Sequence, residues 1–264
     1  MKAAKILREK IAGDSSITGV IVSFHLWPEV IEISMNAGLD YIIIDLEHGA
    51  FNDETVAEVC ARGRLADFPV LIRPHSNHFD TIRKTLDFGP CGLMLAVVDN
   101  TDILDEVRDG IWMPPRGKRR PGGAGNRWLS DFNYETWRDE VEEHFIVLPQ
   151  IETRVGLENV EAIARHEITT AMAIGPYDLA ADLGVCWKPD DENLVAAFGQ
   201  IRAAARAVGK NMWVIGDGAT MIERGFNFLC ITEPMALLEN ALKAAVSGLK
   251  EGDESAASSD VPLP

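Results

Sequence analysis

Short, unbroken runs of Val, Ile and Leu constrain this chain more than any other feature of its sequence. They are GVIVSF (19–24), YIIIDLE (41–47), PVLIRP (69–74), GLMLAVV (92–98), FIVLPQIE (145–152), TAMAIGP (170–176), MWVIG (212–216) and FLCIT (228–232). A strand with one wet face alternates apolar and polar residues, whereas a strand covered on both faces stays apolar throughout. Eight runs of the second kind, most of them separated by segments with helical spacing such as EVIEISMNAG (29–38), predict an α/β fold built on a parallel sheet. The best match is a single-domain (β/α)8 TIM barrel, for which about 250 residues is typical; a doubly wound sheet is the alternative. The barrel is expected over residues 1–250, followed by an acidic, small-residue-rich tail, 251–264, expected to be disordered. No internal repeat or linker divides the chain.

One segment interrupts the rhythm. MPPRGKRRPGGAGNRW (113–128) sets prolines, glycines and five basic residues between the fourth and fifth runs. It reads as a long solvated loop, with a lid over an anionic substrate as the sharper alternative.

Charge and cysteines narrow the partners. The formal charge is 25 − 41 = −16, and a surface this acidic repels phosphate backbones and anionic lipid, so neither nucleic acid nor membrane is expected. Cys60, Cys91, Cys186 and Cys230 are widely spaced. They read as small apolar residues in a reducing compartment, not as a disulfide framework or zinc site. The first residues read as an amphipathic helix without a signal-peptide core, and no stretch approaches the ~20 apolar residues of a membrane helix. A cytoplasmic protein is expected.

In a parallel barrel the active site lies at the C-terminal ends of the strands. The second run ends in Asp45, Glu47 and His48, and the third in Arg73. The fifth ends in Gln150 and Glu152, and the sixth leads through Gly175, Pro176 and Tyr177 to Asp178. Each has a structural alternative: Asp178 could cap a helix, Glu152 could serve the start of one, and Arg73 could pair with Asp45 or Glu47. His48 alone could be an ordinary polar residue at a strand end. Asp87 stands at the end of a helical segment, against the dipole, which suggests a task such as orienting an imidazole. Gly216-Asp217-Gly218 is a weak phosphate signal and equally a tight turn. Glu152 and Asp178 together, with no His or Cys cluster, suit one hard divalent cation, Mg2+ or Mn2+, better than Zn2+. Such a cation polarises a carbonyl, and an adjacent histidine and arginine supply a base and a fixed charge. These parts suit enolate chemistry on a 2-oxo acid.

At YIIIDLEHG, VLIRP, LPQIET and IGPYDLAADLG, in this order, the sequence resembles the class II pyruvate aldolases of the HpcH/HpaI group, and the resemblance spans roughly residues 5–248. It implies a modified (β/α)8 barrel, a homo-oligomer, usually a hexamer, and cleavage of a 4-hydroxy-2-oxo acid to pyruvate and an aldehyde. By position, Glu152 and Asp178 would hold the metal (Mg2+ or Mn2+, with Co2+ as a further option), and Gln150 would lie beside it. Arg73 would contact the keto oxygen. His48, paired with Asp87, would manage the aldol proton, and Asp45 would shape the water network. Backbone amides near Gly175, Pro176, Tyr177 and Asp178 would receive the pyruvate carboxylate. Independently, none of the lysines (2, 5, 10, 84, 118, 188, 210, 243, 250) ends an apolar run, so an imine mechanism has no nucleophile and no organic cofactor is expected.

The departures concern the aldehyde partner. Tyr177 stands where a small residue is usual, Arg120 where glycine is usual, and the eighth run leads into Ile231-Thr232-Glu233-Pro234 in place of a Gly and an Asp. His25, Trp27 and Trp112 are further candidates for altering the mouth. An oxaloacetate decarboxylase or other enolate-forming lyase on the same metal site, and a non-catalytic metabolite-binding barrel, are the alternative functions.

Overall fold

The structure is a computed structural model that describes residues 1–257 apart from 121, 124–126, 131 and 187. All eight apolar runs form strands: β1 (Ile17–Val22), β2 (Tyr41–Asp45), β3 (Val70–Arg73), β4 (Gly92–Leu95), β5 (Ile146–Ile151), β6 (Met172–Ile174), β7 (Met212–Ile215) and β8 (Phe228–Thr232). They pair in parallel, in chain order, and β8 closes on β1. The closed barrel excludes the doubly wound alternative. Nearly every strand residue is buried, as continuous apolar runs require. The ends differ from expectation in detail: β1 begins two residues earlier, and β4 stops at Leu95 because Val97 turns left-handed (φ 50°).

α1 (Lys2–Ala12) lies across the N-terminal end of the barrel, burying Ala3, Ala4, Leu7 and Ile11. Several of the helices that follow strands start at side-chain caps that satisfy their first N–H groups, although those at Val30–Asn36, Phe79–Asp87 and Pro176–Asp182 do not. Asn52 caps α3 (Asp53–Leu65), accepting from Glu54 N at 2.7 Å, and Asn100 caps α5 (Thr101–Ile111) in the same way. α2 (Val30–Asn36) and α4 (Phe79–Asp87) complete the first half. The second half holds α6 (Tyr134–Glu140), α7 (Arg154–Glu158), α8 (Val160–Arg165), α9 (Pro176–Asp182), α10 (Glu192–Ala207), α11 (Gly218–Glu223) and α12 (Pro234–Ala257). The tail expected from residue 251 overlaps the last residues of α12; beyond Ala257 it lies outside the described residues.

The barrel interior is plugged. Gly19 has no side chain because the Tyr41 ring fills that space; a Cβ there would sit 2.4 Å from the ring. The Tyr41 hydroxyl donates to Leu229 O (2.8 Å) and accepts from Trp213 Nε1 (2.7 Å), tying β2 to β7 and β8 across the axis.

The basic segment after α5 is solvated only in part among its described residues: Lys118 and Arg120 are exposed, whereas Arg119 is buried. It lies at the N-terminal end, away from the strand ends that carry the candidate site. Arg119 is 3% exposed over the Trp137 ring, Arg116 pairs with Glu143 (2.6 Å), and Lys118 pairs with Asp109 (2.6 Å). Trp112 is buried at the same end with Arg116 stacked on it, so within the chain it does not shape the mouth.

Candidate active site

Strand register builds the first half of the site. Asp45 and Arg73 are aligned partners at the C-terminal ends of β2 and β3. Arg73 donates from Nε to Asp45 Oδ1 (2.9 Å) and from Nη2 to Asp45 Oδ2 (2.7 Å), a two-pronged pair that is fully enclosed. Ser23 Oγ donates to the same carboxylate at 2.8 Å, and the N–H groups of Glu47 and His48 at 3.1 and 3.4 Å. Burial pushes the Asp45 carboxyl up, but Arg73, Ser23 and the His48 N–H outweigh it and hold the pKa below the ordinary value. Asp45 therefore fixes Arg73 and the turn that carries His48. The ion pair considered as a structural alternative does form, and it positions the guanidinium. Burial lowers the Arg73 pKa, while Asp45, Glu47 and Glu152 raise it above its ordinary value.

The second half is less satisfied. Glu152 is 4% exposed. It does not serve the helix after it, because Thr153 is the cap there, accepting from Gly156 N at 2.9 Å. Glu152 Oε2 instead accepts from the N–H of Val97 at 2.6 Å, the residue whose left-handed backbone aims that group inward. Burial, then the negative charges of Asp178 and Glu47, push its pKa up to about 7 against the opposing pull of the Val97 N–H and Arg73. Gly175 makes room for it: a Cβ would lie 2.2 Å from Glu152 Oε1. Gln150 is also 4% exposed, and its Oε1 is buried without a hydrogen-bond partner. Asp178 sits in the first turn of α9, exposed; Gly175 holds the cap position and makes no side-chain cap bond.

Arg73, Glu152, Asp178 and Glu47 thus form one electrostatic group at the barrel mouth, with Gly175 against Glu152 and Gln150 two residues before it at the end of β5. Tyr177 is 63% exposed beside them. His48 is exposed at the same end, its Nε2 3.9 Å from Glu47 Oε2. Asp87 is not brought to His48. It ends α4, five residues before β4 begins, and so lies at the opposite end of the barrel, where Gly122 and Gly123 pack on it. Asp217 caps α11, accepting from Thr220 N (2.9 Å), which makes Gly216-Asp217-Gly218 a turn.

Two contributors carry weaker sequence signals. Glu47, which has the weakest claim of the acids at that strand end, lies 3.2 Å from Arg73 Nε and adds to the charge around Glu152. It lies in the turn that directly follows β2, and its place just past a strand end is the signal for it. Val97 acts through its backbone, and nothing in its side chain reports that.

The donor set can be tested against a divalent ion. Among the described residues no group of three or more His, Cys, Asp and Glu side chains is placed to hold a metal. Two mutually repelling carboxylates and an unpaired amide oxygen remain, all of them hard oxygen donors. That set fits a cation such as Mg2+, which is usually held by one or two carboxylates and takes its other oxygens from water and substrate.

Fold and site define an enzyme class: a (β/α)8 barrel whose mouth gathers carboxylates around a fixed arginine. Residues 25–227 match the family described as HpcH/HpaI aldolase/citrate lyase, and the chain belongs to that family. It is 28% identical over 224 residues to the hydroxypyruvate/pyruvate aldolase of Chromohalobacter salexigens, covering 83% of this chain and 88% of that one. It is 31% identical over 222 residues to the 4-hydroxy-2-oxo-heptane-1,7-dioate aldolase of Salmonella heidelberg, covering 81% and 82%. Among solved structures, the HpcH/HpaI aldolase of Desulfitobacterium hafniense superposes with a TM-score of 0.86 at 25% identity, covering 93% of this chain and 97% of that one. The chain is a carbon–carbon lyase of the aldolase type.

Proposed function

We propose that the protein is a divalent-metal-dependent aldolase that makes or breaks the bond between the enolate of pyruvate, or a close 2-oxo acid, and an aldehyde. The observation that carries this reading is Glu152, a buried carboxylate raised to about 7, beside a buried amide oxygen with no partner. Burying a carboxylate among like charges is unfavourable unless a cation joins it.

Glu152 and Asp178 would hold the ion, which when bound supplies a Lewis acid for the 2-oxo group. Mg2+ and Mn2+ suit the oxygen donors best, with Co2+ as a further option. Arg73, held by Asp45, places a fixed positive charge where the keto oxygen gains negative charge, so the stabilisation needs no reorganisation. Gln150 orients the same end of the substrate. The carboxylate lies against the first turn of α9, at Gly175, Pro176, Tyr177 and Asp178. His48 takes or returns the proton of the aldol hydroxyl. Within one chain Asp87 is at the far end of the barrel, so a His48–Asp87 pair has to join two copies.

A homo-oligomer is part of this reading. α12 carries Leu237, Leu238, Leu242, Val246 and Leu249, all at least 47% exposed, an apolar stripe suited to another copy. A hexamer is the number implied by resemblance. No helix among the described residues is long and apolar enough to cross a membrane, and we place the protein in the cytoplasm.

Incubation with pyruvate and Mg2+ or Mn2+ in D2O, followed by proton NMR, tests the enolate step alone. Methyl-proton exchange should depend on metal and stop with chelator or in Glu152→Ala. No exchange with any divalent metal would overturn the reading.

A further inference from the structure

Resting on that reading, we infer that the aldehyde partner is uncharged and carries an apolar, aryl-sized substituent, received by Phe24, His25 and Trp27 at the end of β1. The 2-oxo acid engages Arg73 on β3, Gln150 and Glu152 on β5 and Asp178 after β6. His48, at the end of β2, works on the aldehyde's oxygen. Strand order then fixes where the rest of the aldehyde lies. β2 has two neighbours, β1 and β3, and the end of β3 is filled by Arg73 locked onto Asp45. The substituent extends over β1.

The loop there, SFHLWPE (23–29), is built as a shelf. Ser23 bonds Asp45 at 2.8 Å, so the shelf begins one residue from the site. Leu26 is buried, Trp27 packs partly into the core, and Trp27 O accepts from Val30 N (3.1 Å) at the start of α2. His25 stacks on Trp27, with centroids 5.5 Å apart and planes 17° from parallel. Phe24 stands beside them 77% exposed. A held aromatic surface next to a polar site binds a flat apolar group with little loss of side-chain freedom.

Charge disfavours the other aldehydes. The segments after the strands, 23–29, 46–52, 74–78, 96–100, 175–186, 216–223 and 232–238, contain no lysine or arginine. Beyond Arg73, the cations near the strand ends among the described residues include Arg154, tied to Asp182 O at 2.8 Å, and Lys188 and Arg224, which line a pocket with Pro176, Tyr177 and Asp217 on the β6–β7 side, not beside β1. Glu29, Glu47 and Glu233 lie at the ends of β1, β2 and β8. The cations nearest these acids are already engaged, Arg62 3.8 Å from Glu29 and Arg73 3.2 Å from Glu47, so a carboxylate or phosphate on the aldehyde would have to compete with an acid for either.

The experiment compares aldol addition of pyruvate to benzaldehyde, glycolaldehyde and succinic semialdehyde, each rate divided by the same protein's pyruvate methyl-exchange rate. Wild type should favour benzaldehyde over succinic semialdehyde at least ~10-fold, within the range a shaped apolar pocket discriminates. Phe24→Ala and Trp27→Ala should lower the benzaldehyde-to-glycolaldehyde ratio roughly 10-fold through KM for benzaldehyde, and Phe24→Tyr should keep it. An unchanged ratio in both alanine variants overturns the inference, as does a wild-type preference for succinic semialdehyde. Loss of oligomer in Phe24→Ala with the ratio unchanged assigns Phe24 to a contact between copies and also overturns it. Wild type that exchanges no pyruvate protons overturns the proposed function along with it, so the two failures are distinguishable.

Discussion

Two buried carboxylates stand at the same end of this barrel and behave in opposite ways. Asp45 is fully enclosed, yet it is held below its ordinary pKa by two bonds from Arg73, one from Ser23 and the His48 N–H. Glu152 is almost as buried, receives one backbone N–H, faces two other acids and is raised to about 7. Burial is common to both; the number and charge of partners decides the sign. A satisfied acid holds a structure in place, and an unsatisfied one retains capacity for a ligand.

Arg73→Ala tests the first acid and should have the largest effect. It removes the fixed charge of the site, lowering metal-dependent exchange by on the order of 10²–10³-fold. It also strands Asp45, costing about 3–5 kcal/mol of stability, read from denaturant midpoints. Glu152→Gln should break the symmetry. Exchange is lost to a similar degree, while chelator-treated protein at pH 8 is at least as stable as wild type because a strained charge has gone. Equal destabilisation by both substitutions would erase the distinction between them.

Titration sharpens the comparison. Glu152 has a folded pKa raised from 4.5 to about 7, so the folded protein binds its proton more tightly. Its contribution is present below pH 4.5 and is lost as pH rises through about 7, on the order of 3 kcal/mol in metal-free protein. Asp45 has a folded pKa below 3.8, so its contribution is present above that value and is lost as pH falls further. Urea denaturation across pH 4–8 should show a decline in wild type that Glu152→Gln flattens and saturating divalent metal suppresses.

Gly175→Ala should act through Glu152 alone. The new methyl collides with that carboxylate, weakening metal affinity, measured by calorimetry, and activity on the order of 10²-fold. Ser23→Ala is the smallest change, removing one of several bonds to Asp45 for about 1 kcal/mol of stability.

Much of this was legible in the sequence, for a physical reason. Apolar runs without alternation announce strands buried on both faces, and eight of them leave few architectures. Arg73, Gln150, Glu152 and Asp178 could be named because strand ends of a barrel converge. What escaped the sequence depends on backbone direction or on distance along the barrel axis. Val97 contributes an N–H through a left-handed turn, which a valine does not advertise. Asp87 looked like a partner for His48, but an α-helix running back from β3 carries its last residue to the other end. The basic segment looked solvated because its composition is polar, and Lys118 and Arg120 are exposed, but Arg119 is buried over Trp137.

The Tyr41 plug across the barrel axis has a consequence for traffic. With the floor shut, whatever enters and leaves would use one door, and Arg73, Gln150 and Glu152, assigned above to the 2-oxo acid, are buried where His48 and Phe24 are exposed. On the proposed function, such a mouth would set a queue in which the 2-oxo acid arrives first and departs last. Initial rates in the condensing direction should follow a compulsory order, and excess aldehyde should slow turnover by waiting in the doorway.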